Sequence, residues 1–311
     1  MYSIEVNNLR KEFGKFTAVN DISFNVKSGD IFGFLGANGA GKTTTIKMMC
    51  GILEPTSGDA LVHGFSIAKD PSNVKLNIGY MSQRFSLYND LSVVENINFF
   101  GGVYGLSGKE LAKRKDWVLE IANLKNEEKV LTGSLPGGIK QRLALGTAVI
   151  HKPKIVFLDE PTSGVDPISR RAFWELIQNL SSEGVTVLVT THYLEEAEYC
   201  NDIILMDAGD IIANGSSKEM KEKYLKNDIL EIECSDVIAG LEILEKQNFV
   251  EETSIFGNNI HISINEKIKD LNQINKLLQE RHKIEVMRVQ KIIPTLEDVF
   301  IHLLEKRRNA K

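Results

Sequence analysis

Two kinds of hydrophobic pattern divide this chain. Residues 31–35, 155–158 and 186–191 are nearly continuous apolar or β-branched runs, as expected of strands buried on both faces. Residues 77–83 read as a further strand ending in a polar side chain. Helix-compatible segments lie between these runs, at 43–49, 109–121, 141–150 and 168–180. Residues 21–26 instead alternate apolar and polar, the pattern of a half-buried antiparallel strand. They pair with a strand at 3–6 across a turn region, 9–14. Residues 59–63 form a short strand after the turn-rich break at 51–58. Loops are expected at Gly101-Gly102, Ser107-Gly108 and Gly133, and a hairpin over 203–206 and 209–213.

From about residue 218 the order changes. Strand 228–234, helix 236–247, strands 249–254 and 260–264, helix 268–280 and strand 284–289 give a β-α-β-β-α-β series, before a terminal helix over 295–304. That series predicts a small α+β domain of ferredoxin-like packing. The expected fold class is α/β over 1–217, with a helical portion at about 85–150, followed by an accessory domain over 218–311.

Composition narrows the class. A chain of 311 residues suits two domains, and 42% hydrophobic with 25% charged residues suits a globular protein. The net charge of −5 argues against a nucleic-acid binder, which would present a basic face. The first residues lack the layout of a signal peptide, and no apolar run approaches a membrane span. Cys50, Cys200 and Cys234 are few and widely spaced, which suits reduced thiols better than a disulfide frame or a zinc site. The expectation is a cytoplasmic protein whose membrane role, if any, runs through a partner.

The chemistry is announced at 36–43, Gly-Ala-Asn-Gly-Ala-Gly-Lys-Thr, a full phosphate-loop motif between a strand and a helix. Gly36, Gly39 and Gly41 let the backbone N–H groups curl inward, toward a helix N-terminus with partial positive charge. Lys42 can reach the β- and γ-phosphates of a nucleotide, and the Thr43 hydroxyl can ligate Mg²⁺. Asp159 and Glu160 close an apolar strand, where two acids are costly unless a cation or a reaction needs them. Asp159 is placed to hold Mg²⁺ and Glu160 to polarise an attacking water. His192 closes the 186–191 strand, at the edge where active-site groups of open α/β sheets collect. Phe13, beside a glycine turn ahead of the phosphate loop, reads equally as an adenine-stacking ring and as ordinary packing.

With these residues in hand, the chain resembles the nucleotide-binding subunit of an ATP-binding cassette transporter. The resemblance rests on six elements in order: the Walker A loop at 36–43, the Q-loop Gln83, a signature-like segment at 135–142, the Walker B carboxylates Asp159-Glu160, the D-loop 163–166, and the switch His192. It implies a P-loop cassette with a RecA-like core, an antiparallel β-subdomain and a helical subdomain. It implies ATP held by Gly36, Ala37, Asn38, Gly39, Ala40, Gly41, Lys42, Thr43 and Thr44, with Phe13 on the adenine. Mg²⁺ would be held by Thr43, Gln83 and Asp159, with Glu160, His192 and Gln83 catalytic. The family works as a head-to-tail dimer, so Leu135, Pro136, Gly137, Gly138 and Asp166 would cover the ATP of a second cassette, identical or different. Gln83 would also face a membrane-spanning permease, placing the chain at the inner face of the membrane.

The signature segment departs from the family's Leu-Ser-Gly-Gly-Gln: Pro136 stands for Ser and Ile139 for Gln. Proline offers neither hydroxyl nor N–H, although it is tolerated in a helix's first turn. The form Leu-Pro-x-Gly followed by Lys-Gln-Arg-Leu resembles drug-exporter cassettes of bacteria, as does the closing 294–300 segment. An exporter ATPase handling drugs, antibiotics or lipids is therefore expected. The rival readings are a non-transport cassette ATPase and a regulatory cassette that hydrolyses weakly.

Overall fold

Strand β1 (Tyr2–Phe13) and strand β2 (Phe16–Lys27) form a long antiparallel hairpin. The expected turn over 9–14 shrinks to Gly14-Lys15. Irregular register between Val6 and Leu9, and again before Lys11, breaks the two-residue alternation, so the pattern hides the far half of β1. Strand β3 (Ile31–Leu35), helix α1 (Lys42–Met49), strand β4 (Ser57–Val62), the two-residue β5 (Phe65–Ser66), helix α2 (Pro71–Asn77) and strand β6 (Ile78–Met81) follow. Asp70 caps α2 and Pro71 opens it, a short helix that its composition did not announce.

Helix α3 (Val93–Val103) starts in a capping box, in which Ser92 and Glu95 each bond the other's backbone N–H. It then runs through Gly101-Gly102, where a loop is expected. A Cβ on Gly101 would collide with Leu111 of helix α4 (Gly108–Ile121). That glycine serves close helix packing, not a turn. Helix α5 (Gly137–Ala148), strand β7 (Ile155–Asp159), helix α6 (Pro167–Ser182), strand β8 (Thr186–Thr191), and the hairpin of β9 (Asp202–Asp207) and β10 (Asp210–Gly215) complete the first unit.

The structure, a computed structural model, describes residues 1–83, 87–265 and 271–309, and its contacts divide into units Met1–Ser216 and Ser217–Lys311. In the first unit β6, β7, β8, β3 and β9 are parallel neighbours, with β10 antiparallel at the edge. Every residue of β3, β7 and β8 is buried, which explains their unbroken apolar runs. A second, antiparallel sheet has the order β2-β1-β4-β5. All five parallel strands end on the same edge, and Lys42, Asp159, Glu160, Thr190 and Thr191 are buried there.

The second unit opens with helix α7 (Ser217–Tyr224), ahead of the first expected strand. Then come β11 (Asp228–Cys234), α8 (Val237–Leu244), β12 (Val250–Phe256), β13 (Asn259–Ile264), α9 (Asn272–Asn275) with a π-helical turn Lys276–Arg281, β14 (Val286–Ile292) and α10 (Leu296–Asn309). The antiparallel order β12-β13-β11-β14 is that of a ferredoxin-like sheet. Residues 268–270 of the expected helix, and 85–86 at the start of the helical portion, lie outside the described residues. Among the described residues no helix is long and apolar enough to cross a membrane.

Candidate functional site

The turn from β3 into α1 takes its shape from glycine. Gly41 has φ +107, and a Cβ there would stand 2.6 Å from the Ala18 carbonyl oxygen. Behind it, α1 has no side-chain cap and no acidic residue in its first turn, so its N-terminal charge is uncompensated by the chain itself. Lys42 is only 4% exposed and donates to the Gly36 and Ala37 carbonyls at 2.7 and 3.1 Å. Its ammonium is 3.7 Å from Glu160 Oε1. Burial lowers the Lys42 pKa, while Glu160 and Asp159 pull it upward.

The ends of β7 and β8 bring the acids to the same place. Asp159 Oδ1 accepts from the Thr43 hydroxyl at 3.0 Å and the Thr190 hydroxyl at 2.7 Å. Its second oxygen, Oδ2, is buried and accepts no hydrogen bond among the described residues. Burial raises the Asp159 pKa, against the pull of the two hydroxyls. Glu160, just past β7, has φ 48, an uncommon conformation for a residue with a Cβ. Its N–H donates to Thr190, to the carbonyl at 3.1 Å and the hydroxyl at 2.9 Å. Its carboxylate accepts from Gln83 Nε2 at 3.0 Å and lies 3.6 Å from His192 Nδ1.

These residues fit a hard divalent cation. The unused Asp159 oxygen beside the Thr43 hydroxyl is a ready ligand pair, and no cluster of three His, Cys, Asp or Glu side chains suited to a metal occurs among the described residues. Mg²⁺ binds in this sparse manner, through one or two protein oxygens completed by phosphates and water. A cavity of about 320 Å³ opens over the loop, lined by Phe13, Phe16, Lys42, Thr44, Gln83 and Glu160 among others. Asn38, Gly39, Gly41 and Thr43 also line it. Phe13 and Phe16 are half or more exposed, at 50% and 62%. Phe16 escaped the sequence reading; its signal was the hairpin register that sets it opposite Phe13.

Leu135, Pro136, Gly137, Gly138 and Asp166 do not line this cavity. Gly138 and Asp166 instead both lie against Ser169. A Cβ on Gly138 would strike Ser169 in the first turn of α6, whose N-cap is Asp166, bonded to the Ser169 N–H at 2.9 Å. Pro136 is not in a first helical turn but one place earlier, as the N-cap with φ −57 and ψ 150. Its carbonyl accepts from the Ile139 and Lys140 N–H groups at 3.1 and 3.0 Å. Helix α5 thus starts four residues before the expected 141, because Gly137 and Gly138 carry no apolar signal. Thr190, bonded to Asp159, and the group of Thr162, Arg170 and Glu196, which contact one another, were not anticipated; isolated polar residues from separate segments leave no spacing to read.

Family descriptions match both units: "ABC transporter" over residues 19–163, and "ATP-binding protein DrrA1-3-like, C-terminal domain" over 215–304. The linearmycin resistance ATP-binding protein LnrL of Bacillus subtilis (strain 168) is 35% identical over 308 residues, covering 96% of this chain and 97% of that protein. The probable multidrug ABC transporter ATP-binding protein YbhF of Escherichia coli (strain K12) is 50% identical over 225 residues. That match takes in 72% of this chain but only 39% of the E. coli protein. Among solved structures, an ATP-binding subunit of an ABC transporter superposes with a TM-score of 0.65 at 28% identity, covering 71% of this chain and 92% of the other. A dimeric cassette in a post-hydrolysis state bound to ADP and Pi gives 0.63 at 25% identity, over 68% of this chain and 98% of that one. The chain belongs to the ABC transporter family, as one of its ATP-binding proteins.

Proposed function

We propose that this chain hydrolyses ATP to power export of a small molecule, a drug, antibiotic or lipid, through a separate membrane permease. The observation that carries the reading is the meeting of Lys42, Asp159, Glu160, Gln83 and His192 at one edge of one parallel sheet. The names of the relatives, multidrug and linearmycin resistance, support the exporter class. In this account the 36–44 loop and Lys42 hold the phosphates, and Phe13 lies against the adenine. Thr43, Asp159 and Gln83 would hold Mg²⁺, which would supply charge neutralisation on the phosphate oxygens. Glu160 accepts the proton of the attacking water, and the imidazole of His192 steadies the γ-phosphate. Leu135 to Gly138 and Asp166, turned away from their own chain's cavity, serve the site of a second cassette, identical or different. The protein then works on the cytoplasmic side of the membrane, held there by the permease, with residues 218–311 as an accessory domain.

Gel filtration of Glu160→Gln with ATP and Mg²⁺ tests the dimer. The expected result is a nucleotide-dependent shift to twice the monomer mass, because ATP stays unhydrolysed between the subunits. A monomer at saturating ATP would contradict self-pairing and point to a different partner chain. One observation favours slower hydrolysis: Pro136, at the N-cap of α5, offers no side-chain hydrogen bond.

A further inference from the structure

Two residues beyond Glu160, Thr162 is 1% exposed and donates its hydroxyl to Glu196 Oε1 at 2.6 Å. Glu196 is 2% exposed and sits in the 3₁₀ turn Leu194–Tyr199, just after His192. Arg170, in the first turns of α6, brings its Nε to 3.6 Å from the same Glu196 oxygen. Its guanidinium carbon lies 4.1 Å over the Tyr193 ring, and its Nη2 donates to the Val165 carbonyl at 3.4 Å. The Tyr193 ring in turn is 4.1 Å from that of His192, whose Nδ1 is 3.6 Å from Glu160. With the chain itself linking Glu160 to Thr162 through Pro161, the contacts close a ring: Thr162, Glu196, Arg170, Tyr193, His192 and Glu160.

An ion pair with one partner fully buried, as Glu196 is against the half-buried Arg170, is a poor device for stability alone, since desolvation offsets most of its attraction. This one is not even saturated. Glu196 Oε2 and Arg170 Nε have no hydrogen-bond partner among the described residues, and buried polar atoms left so call for another explanation. Glu160 supplies it. Its positive φ is held on the upstream side by Thr190. Such a conformation persists only where the surroundings over-determine it. The downstream constraint is Thr162, pinned to Glu196.

We propose that Glu196, acting with Thr162 and Arg170, is a positioning residue that fixes the Glu160 carboxylate against His192. Neither Thr162 nor Glu196 lines the nucleotide cavity, so their effect falls on turnover and not on binding. The inference rests on the roles given to Glu160 and His192 above.

The test is steady-state ATPase of the full chain with ATP and Mg²⁺, alongside binding of a fluorescent ATP analogue. Thr162→Val keeps the shape and removes the hydroxyl; it lowers kcat about tenfold, the effect of losing one hydrogen bond to a charged group. KM and analogue affinity stay within about twofold of the parent, since the phosphate contacts of Lys42 are untouched. Thr162→Ser restores kcat. Glu196→Gln keeps an acceptor for Thr162 but loses the charge facing Arg170, so its kcat falls less; it carries the comparison if the valine variant does not fold. Parental kcat in both Thr162→Val and Glu196→Gln overturns this inference alone. So does a kcat loss matched by an equal loss of nucleotide affinity, or a serine variant no better than valine. A parent chain without ATPase activity overturns the functional reading, and this inference with it.

Discussion

Each unit buries an aspartate, Asp159 in the first and Asp298 in the second, and the two are used in opposite ways. In the second unit His261 bonds Asp298 at 2.9 Å, lies 3.6 Å from Glu231 and stacks on Phe256 at 3.9 Å. The other Asp298 oxygen accepts from the Thr295 N–H and hydroxyl at 2.7 and 2.8 Å, capping α10. Burial alone would raise the Asp298 pKa, but these hydrogen bonds overcome it and hold the carboxyl below its usual value. In the first unit the balance runs the other way: burial wins at Asp159, its pKa is raised, and one oxygen is left without a partner. The space differs too, about 20 Å³ beside His261 against about 320 Å³ over the phosphate loop. A saturated carboxylate pins a helix to a sheet; an unsaturated one, beside an open cavity, keeps bonding capacity for a ligand.

Topology explains why each kind sits where it does. Parallel strands end together, so β3, β7 and β8 deliver Lys42, Asp159, Glu160 and His192 to one edge. The antiparallel sheet of the second unit sends alternate strands to opposite edges, and its polar residues are spent on tying α10 down.

The comparison breaks most visibly at Lys42. If Lys42 is the point charge that faces the phosphates, Lys42→Ala should weaken binding of a fluorescent ATP analogue by about 3 kcal/mol, on the order of a hundredfold. Unchanged affinity would remove the phosphate loop from the account.

The two aspartates sharpen the contrast because their amides should act with opposite sign. Asp298→Asn disturbs a saturated cap and should cost the second unit about 2 kcal/mol, read as a lower melting temperature with ATPase intact. The sign with pH follows: Asp298 has a depressed folded pKa, so its stabilisation is present above the ordinary value of 3.8 and is lost as pH falls through the folded value. Asp159→Asn removes a buried charge with one unpartnered oxygen and should raise nucleotide-free stability by about 1 kcal/mol, read as a higher melting temperature, while abolishing the Mg²⁺ dependence of nucleotide binding. If both amides lower stability alike, the distinction between saturated and unsaturated acids fails.

Pro136→Ser gives the smallest change. Serine at the N-cap of α5 can bond the N–H of Ile139 or its neighbour and adds a hydroxyl, worth about 1 kcal/mol to the helix start. If the segment serves a second cassette, turnover should rise by about fivefold. A folded serine variant with slower ATPase would mean that proline is a working part of the segment.

What could be read from the sequence follows from how each feature is encoded. The buried strands and the phosphate loop are local patterns, so 31–35, 155–158 and 36–43 were legible, and so was the βαββαβ series, whose sheet order matches. The far half of β1 was lost to irregular register, and the run of α3 through Gly101-Gly102 to a glycine used for packing against Leu111. The start of α5 was masked by two glycines. Asp159, Glu160 and His192 stood out because each closes an apolar strand. Thr162, Arg170 and Glu196 did not, because their meeting exists only in three dimensions.

The central claim is that the acids at the strand ends of the first unit, Asp159 and Glu160, perform the chemistry and the saturated Asp298 of the second does not. Parent, Glu160→Gln and Asp298→Asn should be compared in one assay, ATP hydrolysis with Mg²⁺ at matched nucleotide occupancy. Glu160→Gln is predicted to bind the fluorescent analogue like the parent and to turn over 10²–10⁴-fold more slowly, on the order of a lost general base, while Asp298→Asn hydrolyses at the parental rate. Parental hydrolysis by Glu160→Gln would contradict the account.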